Sequence, residues 1–111
     1  MIEQTVRDYL EEQLGIPVRM EEEAGLPKEY IVIEKTGSGQ TNHIKRATLA
    51  VQSYSSSLYQ AASVNERVKE AMEKIIEMDD ISKCELNSDY NYTDTARKRY
   101  RYQAVFDIVY F

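Results

Sequence analysis

Few side chains in these 111 residues combine the types and spacing that chemistry needs, and His43 and Cys84 are the only histidine and cysteine. A thiol nucleophile needs a base within hydrogen-bond reach and a third group to orient that base, and nothing in the spacing of these two supports such a pair. His43 falls at a loop–strand boundary, where a surface or hydrogen-bonding role is the simpler reading. Cys84 falls in mid-strand beside apolar positions, where thiols pack and stay inert. Carboxylates are plentiful, but Glu21, Glu22, Glu23 and the Asp79, Asp80 pair lie in turn regions, with no His or Cys at metal-ligand spacing beside them. Gly37, Ser38 and Gly39 lack the third glycine and following helix of a dinucleotide fingerprint, and no P-loop lysine follows them. The expectation is no catalytic residue, no metal and no cofactor.

The sharper case is the run YNYTDTARKRYRY, residues 90–102. Aromatic rings interleaved with arginines can stack bases and grip phosphates. The same alternation serves a strand with one buried face, its basic side chains guarding an edge. Tyr and Arg are also the side chains enriched at protein interfaces, and the chain has nine tyrosines and no tryptophan. A formal net charge of −5 weighs against general nucleic-acid binding, which draws most of its affinity from a basic surface. The charge is uneven: residues 1–29 hold eight acids and three bases, while Arg97, Lys98, Arg99 and Arg101 crowd the other end. Such a polarity suits a molecule that docks on copies of itself. Glu11, Glu12, Arg97, Arg99, Arg101, Tyr90 and Tyr92 are accordingly the candidate contact residues.

Positioning these groups is the task of elements legible in the hydrophobic pattern. Ile2, Val6, Leu10 and Leu14 recur at a spacing of four, which predicts a helix over residues 2–14 stopped by Gly15 and Pro17. Alternation predicts a half-buried strand over 16–22, with a polar turn over 22–29. Tyr30, Ile31, Val32 and Ile33 open an interior strand over 30–36. Residues 37–42 carry two glycines and no hydrophobe, which predicts a mobile hairpin loop. A long strand over 43–55 should pair with the preceding one. Ser57 with Gln60 matches a capping box ahead of a helix whose stripe is Ala61, Val64, Val68, Ala71, Met72 and Ile75, closed by Asp79 and Asp80. A strand over 81–86, a polar loop over 87–98 and a strand over 99–111 complete the order α-β-β-β-α-β-β.

No strand–helix alternation repeats regularly, which points away from a doubly wound parallel sheet and toward an α+β domain. The expected architecture is a mostly antiparallel sheet of about five strands, with two helices packed on one face, in a single domain spanning residues 1–111. No run approaches the roughly 20 apolar residues that cross a bilayer, and the opening segment is neither a signal peptide nor an anchor. The lone cysteine fits a reducing compartment.

The terminal strand KRYRYQAVFDIVYF, the polar YNYTDT loop before it, the capped long helix and the opening amphipathic helix followed by GIPV together resemble the tail terminator family. These are the small tail-completion and head–tail joining proteins of long-tailed bacteriophages and prophages. The resemblance covers nearly the whole chain as an order of elements, and its motifs are loose. It implies an α+β subunit of the virion tail or neck, assembled in the bacterial host cytoplasm. Such a subunit forms a homo-oligomeric, hexameric ring that caps the tail tube and meets tail tube and head–tail connector proteins. DNA would pass through that ring without specific binding, and no membrane is involved. A ring requires a head-to-tail contact between two unlike patches on each subunit. The acidic segment and the 97–101 cluster are the expected patches, and residues 37–42 and 87–98 are expected to order on docking.

Overall fold

Apolar side chains one helical turn apart organise the first element, α1 (Ile2–Leu14), whose Ile2, Val6, Leu10 and Leu14 are all buried. The computed structural model describes Met1–Phe111. Gly15 ends α1 in the left-handed region at φ 70°, and its N–H donates to the Glu11 carbonyl. Arg67 Nη2 donates to the Leu14 carbonyl at 2.7 Å, satisfying another of the helix's free end groups. The chain then forms β1 (Val18–Arg19), β2 (Tyr30–Thr41), β3 (Ile44–Ser55), α2 (Leu58–Glu73), a 3-10 turn (Ile75–Glu77), β4 (Ile81–Asn91) and β5 (Tyr100–Tyr110). The fold is α+β, in the order expected.

The sheet has five strands in the order β1-β2-β3-β5-β4. Every pairing is antiparallel except that of β1 with β2. Alternate residues of the central strands face the helices: Ile31 and Ile33, Leu49 and Val51, Phe106 and Ile108 join the α1 and α2 stripes in one core cluster of 19 buried residues. Fully burying a side chain of this size contributes roughly 1.5–3 kcal/mol, so this one layer supplies most of the stabilisation. Tyr9 fastens the helices together, its Oη donating to the Ala71 carbonyl at 2.6 Å.

Ser57 caps α2 as expected, its hydroxyl accepting from the Gln60 N–H at 3.1 Å. The reciprocal half of the capping box differs, because the Gln60 side-chain oxygen instead accepts from the Ser56 hydroxyl at 2.5 Å.

Three segments depart from the expectation. The strand over 16–22 shrinks to Val18 and Arg19, since Pro17 has no N–H for a ladder and the acidic run behind it stays in water. The loop expected over 37–42 is strand as far as Thr41, and only Asn42 and His43 turn, at φ 51° and 68°. A two-residue turn with both φ positive matches the twist of the flanking strands, and an asparagine accepts that geometry. The glycines are absorbed instead beside an irregularity between Lys35 and Gly37. The loop expected over 87–98 likewise begins only after Asn91, beyond a bulge between Leu86 and Ser88. Residues 37–41 and 88–91 are thus held in ladder pairing, and of the two segments only Asn42 and residues 92–98 lie outside the strands.

Candidate interaction surface

The sheet face turned away from the helices is organised by cross-strand rows. Tyr30 stands opposite Tyr54, and Tyr54 opposite Arg101, so the three lie side by side across β2, β3 and β5. One step along, Gln52, Gln103 and Tyr90 form a second row across β3, β5 and β4. These rows gather Arg99, Arg101, Tyr90 and Tyr92 at one end of the face.

Within the cluster one chain of hydrogen bonds runs in a single direction. Arg101 Nη1 donates to Tyr54 Oη at 2.7 Å, and Tyr54 Oη donates to Gln52 Oε1 at 3.4 Å. Gln52 Nε2 then donates to Gln103 Oε1 at 2.8 Å, and Gln103 Nε2 to Tyr90 Oη at 2.5 Å. Arginine has only donors, so Tyr54 Oη accepts at the head of the chain and its own proton is free to pass on to Gln52. Successive bonds in a shielded site polarise one another, which favours this single arrangement. Gln52 and Gln103 are buried, so their amides depend on these partners.

Beside the chain lies an ion-pair triad. Arg99 forks onto Glu22, with Nη2 2.6 Å from Oε1 and Nη1 3.2 Å from Oε2. It also donates to the Tyr30 hydroxyl, which in turn donates to Glu22 Oε1 at 3.2 Å. The rings of Tyr30 and Tyr54 stack at 4.6 Å between centroids and 10° between planes. The Arg101 guanidinium sits 4.5 Å from the Tyr92 centroid and 5.6 Å from that of Tyr54. Tyr90 meets Tyr92 edge-on at 5.8 Å.

The electrostatics follow. Burial raises the Tyr30 and Tyr54 hydroxyls above their ordinary value of 10.0, against the opposing pull of Arg99 on Tyr30 and of Arg101 on Tyr54. Burial also pushes the Glu22 carboxyl upward, but the Arg99 bond and charge outweigh it and hold Glu22 below the ordinary carboxylate value.

The other candidate residues lie elsewhere. Arg97 is exposed in the turn before β5, its Nε 3.8 Å from Asp94 Oδ2. Glu11 is spent on the same chain: it accepts from the Val18 N–H at 3.2 Å and from Arg19 at 2.8 Å. Those two bonds, the backbone one foremost, lower its carboxyl. Glu12 stands exposed on α1. The acidic front and basic rear therefore meet inside one molecule, at Glu22 and Arg99.

Tyr30, Tyr54, Gln52, Gln103 and Glu22 complete the cluster without having been singled out from the sequence. The outward parity of Gln52 and Tyr54, and of Arg101 and Gln103, is readable from alternation. Which strand lies beside which is not.

His43 turns the hairpin between β2 and β3, while Cys84 lies half-buried on β4, so the structure does not bring the two together. Burial, reinforced by Asp107 and Glu85, pushes the Cys84 thiol up to about 11. No group of three or more His, Cys, Asp or Glu is placed to hold a metal ion. No helix is long and apolar enough to cross a membrane. Compared with known proteins, the chain matches no family model and no curated protein.

Proposed function

We propose that this chain is a structural subunit of a bacteriophage or prophage virion, a tail terminator or head–tail joining protein that acts as a ring on the tail tube and performs no chemistry of its own. The observation that carries the reading is the pair of unlike free edges on one sheet. At one edge β1 covers only Ile31 and Val32, leaving the outer edge of β2 from Ile33 to Thr41 without a strand. At the other edge β4 has a neighbour on one side alone. Two different unsatisfied edges on opposite sides favour a head-to-tail contact, which closes into a ring when the rotation allows.

Charge supports the same reading. A net charge of −5 around a channel repels DNA phosphates and lets the duplex pass without adhering. Tail tube and head–tail connector proteins are the partners above and below the ring, which places the chain in the virion tail or neck after assembly in the host cytoplasm. Arg99 and Arg101 carry less of a nucleic-acid grip than the sequence suggests, because both guanidiniums donate to groups of their own chain. Light scattering over a concentration series, with and without tail tube protein, tests the proposal. The expected result is a defined oligomer, hexameric in the simplest case, formed alone or on meeting the tube. A monomer indifferent to both concentration and tail components overturns it.

A further inference from the structure

Residues 34–46 are exposed at every position, and beyond Lys45, the last residue of β3 that β5 pairs, the β2–β3 hairpin runs on as a two-stranded ribbon. Its tip is basic and apolar at once. Among the exposed large hydrophobic side chains, only Ile44 is followed directly by two bases, Lys45 and Arg46. Neither base has an ion-pair partner in the chain, but adjacent strand residues point to opposite faces: Lys45 Nζ lies 5.9 Å from the Tyr110 ring on the helix side, while Arg46 shares the open face with Ile44.

Toward the opposite edge of the sheet lies a groove with the complementary character. The α2 stripe packs on β3 and β5 and reaches β4 through Asn65 and Lys69, which both hold Asp89, while the strip of β4 around Leu86 stays exposed. A cavity of about 240 Å³ opens there, floored by Met72, Cys84, Leu86 and Phe106. Leu86 is 47% exposed, high for a leucine on the helix-facing side of a sheet. The α2 rim carries Glu66, Lys69, Glu70 and Glu73. Lys69 is consumed by Glu66 at 2.8 Å and Asp89 at 3.1 Å, which leaves Glu70 and Glu73 without a cationic partner.

We infer that the tip of this ribbon on one copy of the chain seats in the α2–β4 groove of the next copy. Ile44 enters over Leu86 and Cys84, while Arg46 on the same face meets Glu70 and Glu73. The argument is complementarity of what each side leaves unsatisfied: an unpaired base beside an apolar side chain, and two unpaired acids beside an apolar floor. Opposite charge steers the encounter, and the apolar insertion slows its reversal. The two patches differ and lie toward opposite edges, so the contact is heterologous and propagates from copy to copy. The inference rests on the ring reading above and names the contact that builds the ring.

The lone cysteine makes the test direct. Ile44 lies on β3, and Cys84 two strands away on β4, about 10 Å across the sheet within one chain, beyond disulfide reach. In Ile44→Cys protein treated with diamide, the expected product is a ladder of disulfide-linked copies on a non-reducing gel. The ladder should vanish when Cys84→Ser is added. Independently, Glu70→Lys with Glu73→Lys should weaken association by about tenfold or more, and adding Arg46→Glu to the same chain should restore part of it. If the unsubstituted protein assembles while the ladder fails to form, or forms without Cys84, or the charge reversals change nothing, this contact is overturned and the ring reading stands. If the unsubstituted protein stays monomeric alone and with tail tube protein, both are overturned.

Discussion

Replacing Arg101 by Met separates a side chain that holds the fold from one held in reserve for a partner. Methionine keeps most of the aliphatic stem and removes the guanidinium. Tyr54 then loses its donor at 2.7 Å, and the rings of Tyr54 and Tyr92 lose a cation at 5.6 and 4.5 Å. The Tyr92 carbonyl also loses a donor at 2.6 Å, but it is exposed and water replaces the bond. A hydrogen bond from a charged donor contributes about 1.5–3 kcal/mol, and a cation over an aromatic face about 0.5–1 kcal/mol at an exposed site. Arg101 is only half-buried, so the lower ends of these ranges apply and the summed loss is about 2 kcal/mol. For a chain of this length that lowers Tm by about 8 °C. Urea unfolding of Arg101→Met beside Arg97→Met is the assay, both at a dilution where the protein is monomeric. Arg97 pairs only with Asp94 at 3.8 Å on the surface, and its removal should cost less than about 0.5 kcal/mol. Equal midpoints for the two variants would refute the reasoning: the Arg101 network would then stabilise nothing, and its arginine would be free for a ligand.

Two further outcomes follow from the same geometry. Glu22 titrates below the ordinary 4.5 in the folded protein, so its contribution is present above that value and is lost as pH falls through the folded one. Acid unfolding of Glu22→Gln should accordingly show a shallower loss of stability on the acid side of 4.5 than the unsubstituted protein, and parallel curves would count against the Arg99 pairing. Gly15→Ala meets no atom within 4 Å but must adopt φ 70°, so it should destabilise by about 1 kcal/mol through the backbone alone, measurable by urea unfolding. An unchanged or raised midpoint would mean that α1 does not end in the left-handed turn.

Legibility tracked the range of the interactions involved. Helix α1 was readable to the residue because its stripe, its glycine stop and the proline after it are all local. The serine cap of α2 was readable for the same reason. The hairpin turn was misplaced because glycine pairs advertise a loop wherever they fall, whereas the twist of β2 and β3 is better served by Asn42 and His43. The extension of β4 to Asn91 was hidden because its polar residues are held by pairing with β5 and not by burial of their own. In the candidate surface, Arg99, Arg101, Tyr90 and Tyr92 were visible as a composition. Their partners were not, since Tyr30 and Glu22 reach them only through a strand order that local pattern does not specify.

That distinction bears on where a partner should be sought. Charge density along the sequence points to residues 97–101 and to the acids of residues 1–29, yet Glu11, Glu22, Arg99 and Arg101 are engaged within the chain. A side chain already held in a fork or a relay must be released before it can serve a second molecule, and that release costs what the internal bond contributed. Docking is cheaper where charge and apolar area remain unmatched. Arg46 and Ile44 at one end of the sheet, and Glu70, Glu73 and Leu86 toward the opposite edge, meet that condition. The network on the open face then has a different role. It ties β2, β3, β5 and β4 together as one plate, and in the proposed ring that rigidity is what would hold the two unmatched patches at a fixed angle, the condition for successive head-to-tail contacts to close.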